Sequence, residues 1–280
     1  VSNDRRTFIL ALGGLWAGLL LPAHAKAEPE LQQAGTLRIA VYADFAPWSA
    51  RGKGVDIALG QALAERLGLR AEIVEFPADE DMSDDLRNMV WRGHYLGTRP
   101  ADVMLHVPVD AYFAAQNDKV AIFGPYHLET MAIARDPARV PPLTGTPDHA
   151  FEVFTREKIG VEIDTHASDY LLHVRNGGIR DNVVHYPSIA NAVAALRNGE
   201  ISAIMAPHGQ IEGTLGADTA YQINALALPG QRATHWPLGM AVKAGHEQLK
   251  TALSDGLIEL QRSGELTRIF NAHGLTHRVP

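Results

Sequence analysis

The chain has no cysteine. Its fold therefore owes nothing to disulfides, even in an oxidising compartment where they would form. A lipid-modified cysteine at a processed N-terminus is excluded for the same reason. Long apolar runs are absent too. No stretch of about 18 apolar residues occurs, so no membrane-spanning helix is expected. Positive charge is scarce, with 25 Lys and Arg against 32 Asp and Glu, a formal net charge of −7. That balance disfavours nucleic acid and anionic membrane as partners and leaves room for a basic protein. Motifs of catalysis are missing as well. There is no glycine-rich nucleotide loop at the first predicted strand, no His-Glu-x-x-His, no nucleophile motif and no paired catalytic carboxylates at helical spacing. The expectation is a protein that is not an enzyme, with no catalytic residue, metal ligand or cofactor.

What is present is ordinary globular composition. The 280 residues are 46% hydrophobic and 20% charged, enough for two modest domains. The N-terminus reads as an export signal over residues 1–25. Asp4, Arg5 and Arg6 precede an apolar stretch, residues 8–21, interrupted by Gly13, Gly14 and Gly18. Ala23-His24-Ala25 then supplies a small-x-small cleavage site. Arg5-Arg6 before Thr7-Phe8-Ile9 resembles a twin-arginine signal, while an ordinary secretory signal has the same features; both routes stay open. Processing would leave 23 basic against 31 acidic residues, a net −8, in a protein expected free in the periplasm.

The pattern beyond the signal is strand and helix in alternation. Residues 36–42 alternate around Leu37, Ile39 and Val41 and predict a first strand. Residues 54–67 place Val55, Leu59, Ala62, Leu63 and Leu67 at helical spacing, and Gly68 ends the helix. A strand over 70–76, a helix over 83–91, a strand over 101–106 and a helix over 110–116 follow. This βαβαβα order predicts a mainly parallel sheet covered by helices on both faces. Residues 130–135 are extended, and the proline-rich residues 136–147 read as a boundary loop. A second α/β unit is expected next. It has strands over 158–162, 182–186 and 201–206, a further one over 222–228, and helices over 168–176 and 188–198. Ser188 caps the last of these and Gly199 stops it. A strand over 236–243 returns to the first unit, and helices over 247–263 and 265–273 close it. The whole reads as two α/β lobes, joined by crossings near 130–135 and 234–242.

Several ordered stretches carry a resemblance. They are Leu37-Arg38-Ile39-Ala40-Val41, the helix from Gly54-Val55-Asp56-Ile57 to Leu67-Gly68, Phe123-Gly124-Pro125-Tyr126, Lys158-Ile159-Gly160-Val161, and the closing residues 253–274. Together, over roughly residues 36–276, they resemble the type 2 periplasmic solute-binding proteins, extracellular solute-binding protein family 3. The resemblance implies an α/β, two-lobed periplasmic-binding-protein type 2 fold, with two mixed, mainly parallel sheets joined by two hinge crossings. Lobe 1 would take residues 34–133 and 236–280, and lobe 2 residues 134–235. It implies a ligand held at the strand ends between lobes that close by hinge motion. Most proteins of this fold are monomers, so a monomer is expected.

The resemblance also implies site residues. Amino-acid receptors of the family carry an arginine after the third strand, where its fork clamps the ligand carboxylate. Here Val107-Pro108-Val109-Asp110 has none. Their second-lobe aspartate would fall near Ala206-Pro207-His208-Gly209, which has no acid. An ordinary amino-acid site is therefore not expected. The expected ligand-binding set is Asp44, Phe45, Trp48, His106, Val107, Asp110, Tyr126, Thr165, His166 and His208. Asp56, near a helix start, reads better as a partner of the helix dipole than as a ligand residue. Phe45, Trp48 and Tyr126 would be flat apolar walls.

A narrower resemblance lies in Asp85-Leu86-Arg87-Asn88, Trp91-Arg92-Gly93-His94-Tyr95, Ala101-Asp102-Val103-Met104 and Val107-Pro108. This block is similar to binding-protein-like accessories of periplasmic quinoprotein (pyrroloquinoline-quinone) alcohol dehydrogenases, as in methanol oxidation. It implies a protein partner, the dehydrogenase or its cytochrome c. Residues 93–100 become a contact loop, with Arg92, His94, Tyr95 and Arg99 as partner-binding residues. The principal expectation is such an accessory. The alternative is the receptor of an ABC importer for a small non-amino-acid solute, whose partner is a permease. Catalysis by Asp or Glu with His in a closing cleft is the third reading.

Overall fold

The computed structural model describes residues 29–226 and 235–280. The export signal read over residues 1–25 lies outside the described residues. In chain order the elements are β1 (Thr36–Tyr42), α1 (Val55–Arg66), β2 (Arg70–Phe76), α2 (Met82–Leu86), β3 (Val103–Pro108), α3 (Ala111–Gln116), β4 (Val120–Arg135), α4 (Pro147–Ala150), β5 (Ile159–Glu162), α5 (His166–His173), β6 (Val183–Tyr186), α6 (Ile189–Arg197), β7 (Ala203–Pro207), α7 (His208–Leu215), β8 (Gln222–Ala225), β9 (His235–Lys243), α8 (Glu247–Arg262) and α9 (Glu265–Ala272).

One strand holds the architecture together. Hydrogen-bonded strands run in the order β2-β1-β3-β9-β4-β7-β5-β6, with β8 also on β4. Residues 120–130 of β4 pair with β9, while Met131–Arg135 pair with β7 and β8. The 16-residue β4 therefore belongs to both halves of the sheet, and the crossing expected near 130–135 is the point where its partners change. The parallel pairs β1/β2, β1/β3, β5/β6 and β5/β7 come from the βαβ segments, as their connecting helices require. The returning β9 is antiparallel to both its neighbours, which makes the sheet mixed.

Each half is covered on both faces. In the first half, Leu59 and Leu63 of α1, Leu253 and Leu257 of α8 and Phe270 of α9 pack on Leu37, Ile39 and Leu105. The opposite face packs Leu86, Met89 and Val90 on Ala40, Met104 and Val107. In the second half, Leu171 of α5 lies with Ile159 and Met205, while Ile189, Val193 and Ile211 of α6 and α7 cover Ile204. Each such fully buried aliphatic side chain contributes about 1.5–3 kcal/mol. Each half thus has its own packing on both faces of the sheet, and β4 is the strand they share.

Local departures from the sequence reading have physical causes. The helix read over 83–91 is α2 followed by a π-helical turn, Arg87–Trp91, with the Arg92 amide bonded back to the Arg87 carbonyl. The wider turn keeps Asn88 buried, its amide on Asp79, beside the buried Met89 and Val90. The strand read over 101–106 runs on to Pro108, so His106 and Val107 lie inside β3 and not after it. The helix read over 168–176 starts two residues earlier, because the Thr165 hydroxyl caps the Ser168 amide at 3.2 Å. It ends at His173, with Arg175 and Asn176 in left-handed conformation.

Candidate ligand site

The site begins with the loop after β1. The amides of Phe45 and Trp48 bond to the carbonyls of Ser49 and Phe45, a tight turn that drives the Trp48 ring inward. Gly54 (φ 133°) then starts α1 directly under this turn. A side chain at Gly54 would collide with the Trp48 carbonyl, so only glycine lets the amides of Val55 and Asp56 bond to Pro47 and Trp48. The result is a carboxylate at the first helical turn, placed beneath an indole.

Asp56 is fully buried. Its two oxygens take different partners: the Tyr126 hydroxyl donates to one at 2.9 Å, and His106 Nδ1 meets the other at 3.0 Å. The Tyr126 hydroxyl in turn accepts the His106 amide at 3.1 Å. That closed triangle demands an unusual backbone. His106 has φ 63°, at the register shift of β3 against β9 between Met104 and Val107. A left-handed non-glycine residue inside a strand costs about 1–3 kcal/mol and is retained where the surroundings fix it. Burial, and after it the Asp56 charge, pushes the Tyr126 hydroxyl well above its ordinary range, so it stays a donor.

Aromatic rings surround the triangle. The Phe45 and Trp48 ring centroids lie 4.9 and 4.7 Å from that of His106, both edge-on. Trp48 is also edge-on to His127 at 5.4 Å, and His127 stacks on Phe270 at 4.6 Å. Burial first, then the nearby Arg278, His277 and His106, pulls the His127 imidazole down to about 3, with Glu212 opposing. It is therefore neutral in the folded protein at ordinary pH.

The second half reaches this cluster through α7. The Gly209 amide points at the buried Glu129 carboxylate of β4, 3.2 Å from each oxygen. Burial raises the Glu129 carboxyl, while the Thr130 and Gly209 amides and the Arg278 charge oppose the rise. A Cβ on Gly209 would come within 2.6 Å of Trp48 and 2.8 Å of Glu129, and one on Gly213 would collide with Pro47. Residues 209 and 213 lie one turn apart on one face of α7. That glycine face is what admits Pro47 and Trp48 against the second half.

The segment after α9 ties the same elements. The Leu128 amide donates to the Arg278 carbonyl at 2.9 Å, the Arg278 amide to His127 Nδ1 at 3.3 Å, and His277 Nε2 to the Tyr126 carbonyl at 2.8 Å. The Arg278 guanidinium bonds His208 and, at 3.0 Å, Glu212 of α7. Burial would raise the Glu212 carboxyl, but hydrogen bonds from His208 and Thr276 and the Arg278 charge hold it down at about 2.

Of the ten residues expected to bind ligand, the structure brings Phe45, Trp48, His106 and Tyr126 together, with His208 at their edge on Arg278. The others stand elsewhere. Val107 is wholly buried in the core with Met104 and Ala241, because β3 continues through it. Asp110 caps α3, its carboxylate accepting the Phe113 amide at 2.7 Å. Thr165 is occupied as the cap of α5, and its hydroxyl also donates to the Glu162 carbonyl. Asp44 and His166 are exposed. Trp48 and Tyr126 are walls of a packed seam and not of an open surface, both being 0% exposed.

Sequence reasoning missed Asp56 as a site residue, and also Glu129, Gly209, Glu212 and Arg278. Two left a trace. Asp56 is an acid between Val55 and Ile57 on a buried face, and Glu129 is an acid inside an extended apolar run; buried acids need partners. For Arg278 no local pattern points to α7.

The loop read as a partner contact is closed by its own backbone bonds. The His94 amide bonds the Thr98 carbonyl at 3.0 Å and the Gly97 amide the His94 carbonyl at 2.9 Å. Tyr95 and Leu96 stand out at 87% and 75% exposure, Arg92 and Arg99 are exposed, and His94 is half-buried with its ring 4.4 Å from that of Tyr95. A groove of about 430 Å³ runs between this loop and the end of β2, lined among others by Phe76, Asp79, Met89 and Tyr95.

The buried imidazole makes a pH prediction. His127 is held neutral, so the unfolded chain binds the extra proton below the ordinary histidine value of about 6.5. Stability from this group is full above that pH and drains away as pH falls toward 3. Urea unfolding at pH 7 and pH 5 should show His127→Phe gaining about 1–2 kcal/mol on the wild type over that interval. A constant gap would mean His127 is not buried neutral. The lowered Glu212 acts only below about 4.5, outside this window.

Comparisons with known proteins agree on the architecture. No family description matches the chain, and no curated protein does. Solved structures do. An ancestral cationic amino acid solute-binding protein, AncCDT-1, superposes with a TM-score of 0.65 at 20% identity, covering 86% of this chain and 96% of its own. Substrate-binding domain 2 of Lactococcus lactis GlnP, in its open conformation, gives 0.60 at 18% identity, with 88% and 97% covered. An amino acid ABC transporter substrate-binding protein of Streptococcus pneumoniae, AbpA, bound to L-arginine, gives 0.57 at 19% identity, with 85% and 94% covered. Among the described residues no helix is long and apolar enough to cross a membrane. The chain has the two-lobed α/β fold of the solute-binding proteins.

Proposed function

We propose that this protein is the periplasmic receptor of an ABC importer, binding a small solute between its two lobes and presenting it to a membrane permease. Lobe 1 is taken as residues 34–133 and 236–280 and lobe 2 as residues 134–235, with Met131–Ile133 of β4 already paired to the second half. The observation that carries the reading is the seating of Trp48, from the loop after β1, against Gly209 at the start of α7. The lobes touch there through a flat ring and a bare helix face, a contact that opens and closes without unfolding either core. The solute is not an amino acid held in the manner of the family's receptors. No arginine follows β3, Asp110 caps a helix, and the residue after β7 is His208.

The accessory reading is favoured by a different observation, the exposed Tyr95 and Leu96 on the loop of residues 93–100. Aromatic and arginine side chains of that kind anchor interfaces. In this second reading the partner is a quinoprotein dehydrogenase or its cytochrome c.

One experiment with two arms decides between them. Solutes at about 100 times their dissociation constant should stabilise a receptor by about 2.7 kcal/mol and shorten the distance between labels on the two lobes. In the second arm, purified quinoprotein dehydrogenase and cytochrome c replace the solutes. Retention by the intact protein, lost when residues 93–100 become a glycine linker, with no solute effect in the first arm, overturns the receptor reading.

A further inference from the structure

We propose that Glu212 is a cation-recognising subsite of the cleft, filled here by the chain's own Arg278, and that a small organic cation bearing a guanidinium or ammonium group takes its place. The second part rests on the receptor reading. Glu212 lies one turn beyond His208 on α7, on the side that meets the first lobe. Its side chain is 19% exposed, and among the described residues the polar contacts of its carboxylate come from α7 or the segment after α9: His208, Thr276 and Arg278. Of these only Arg278 is a fixed cation. Without it, a partly buried carboxylate remains whose other partners, His208 and Thr276, carry no fixed positive charge. A half-buried carboxylate in that state attracts a cation strongly.

The occupant is seated in a way that permits exchange. Arg278 belongs to no helix or strand, and Val279 after it is 73% exposed. It is held to β4 by two backbone contacts, at Leu128 and His127. The guanidinium faces rings and acceptors and not a packed aliphatic core: His208, Glu212 and the edge of His127 at 3.5 Å. His127, held neutral, does not compete with a cation for the carboxylate. Glu129 of β4 lies beside the start of α7, but its carboxylate is taken by the Gly209 amide and raised by burial, which leaves Glu212 to supply the charge. The subsite therefore selects for positive charge and a planar fork, the features of the group that already sits in it.

The test is chemical rescue with methylguanidinium chloride, at low concentrations that leave the fold intact, with sodium chloride and urea as controls. Arg278→Ala should melt below the wild type, and methylguanidinium should restore a large part of the difference. By calorimetry it should bind this variant at least tenfold more tightly than the wild type, whose subsite is filled. Arg278→Lys keeps a cation in place and should bind the probe as weakly as the wild type. The double variant Arg278→Ala with Glu212→Gln should not be rescued. Equal binding to wild type and Arg278→Ala, or rescue that survives Glu212→Gln, overturns the proposal. If rescue works while no solute draws the lobes together, the subsite stands and the receptor reading falls. If solutes close the lobes but Arg278→Ala binds the probe no better than wild type, the subsite falls and the receptor reading stands.

Discussion

Replacing Asp56 by alanine should lower the unfolding free energy by about 3–5 kcal/mol, a large share of the total for a protein of this size. The carboxylate is 0% exposed and meets the Tyr126 hydroxyl at 2.9 Å and His106 Nδ1 at 3.0 Å. Deleting it leaves a buried hydroxyl and a buried imidazole nitrogen without an acceptor, each costing about 1–3 kcal/mol. The favourable interaction of an acid with the first turn of α1 goes too, about 0.3–1 kcal/mol more. His106 then keeps its left-handed backbone with less to hold it there. Asp56→Asn is the informative companion, since its amide oxygen still accepts from one of the two donors, and it should lose about half as much. Urea titration of both variants checks this: the midpoint should fall while the slope stays constant. A loss below about 1 kcal/mol for Asp56→Ala would mean that the triangle is not a closed structural unit.

The fold was legible because its cues are local and repeated. The apolar spacing of α1, the cap at Ser188 and the glycines after α1 and α6 say where elements begin and end. The alternation of strands and helices orders the parallel pairs. The change of partners along β4 was legible only as a boundary, because continuity of a strand between two halves is decided by pairing with β9 and β7, far away in sequence. The site was legible in part for the same reason. Phe45, Trp48, His106 and Tyr126 sit where strands end or bulge, and strand ends can be found from the pattern. Asp56 was read in part, because an acid in a first turn already has a sufficient local explanation, and only Tyr126, 70 residues on, shows that it has a second one. Asp110 and Thr165 show the opposite case, a local role that the sequence reading did not assign them. Both are helix caps, and a cap and a ligand residue look alike when no partner is known. Arg278 pairs with Glu212 across 66 residues, a contact that no periodicity encodes.

Filling the glycine face of α7 should separate binding from folding. In Gly209→Leu, the new side chain starts 2.6 Å from Trp48 and 2.8 Å from Glu129, atoms that belong to the other lobe or to the shared strand. The atoms that the new side chain meets lie across the seam and not among the side chains of the second-half core, so both halves should fold and melt cooperatively. What the leucine opposes is their approach. Overpacking a close contact costs about 1–3 kcal/mol, and every 1.4 kcal/mol is tenfold in an equilibrium. A solute that needs closure should therefore bind about 10- to 100-fold more weakly, and small-angle scattering should show a larger radius of gyration with or without it. The clash has a named partner, which makes the prediction specific. Trp48→Gly removes the ring that the leucine meets, so the double variant should recover closure relative to Gly209→Leu, at the expense of stability lost with a fully buried indole, about 3–5 kcal/mol. A cycle of the two substitutions measures the coupling directly, and a coupling near zero would mean that Trp48 and α7 do not meet when the lobes close. If Gly209→Leu instead unfolds the second half, the glycine serves the packing of α7 on its own lobe, and the Trp48–Gly209 seam is not the hinge-closing contact.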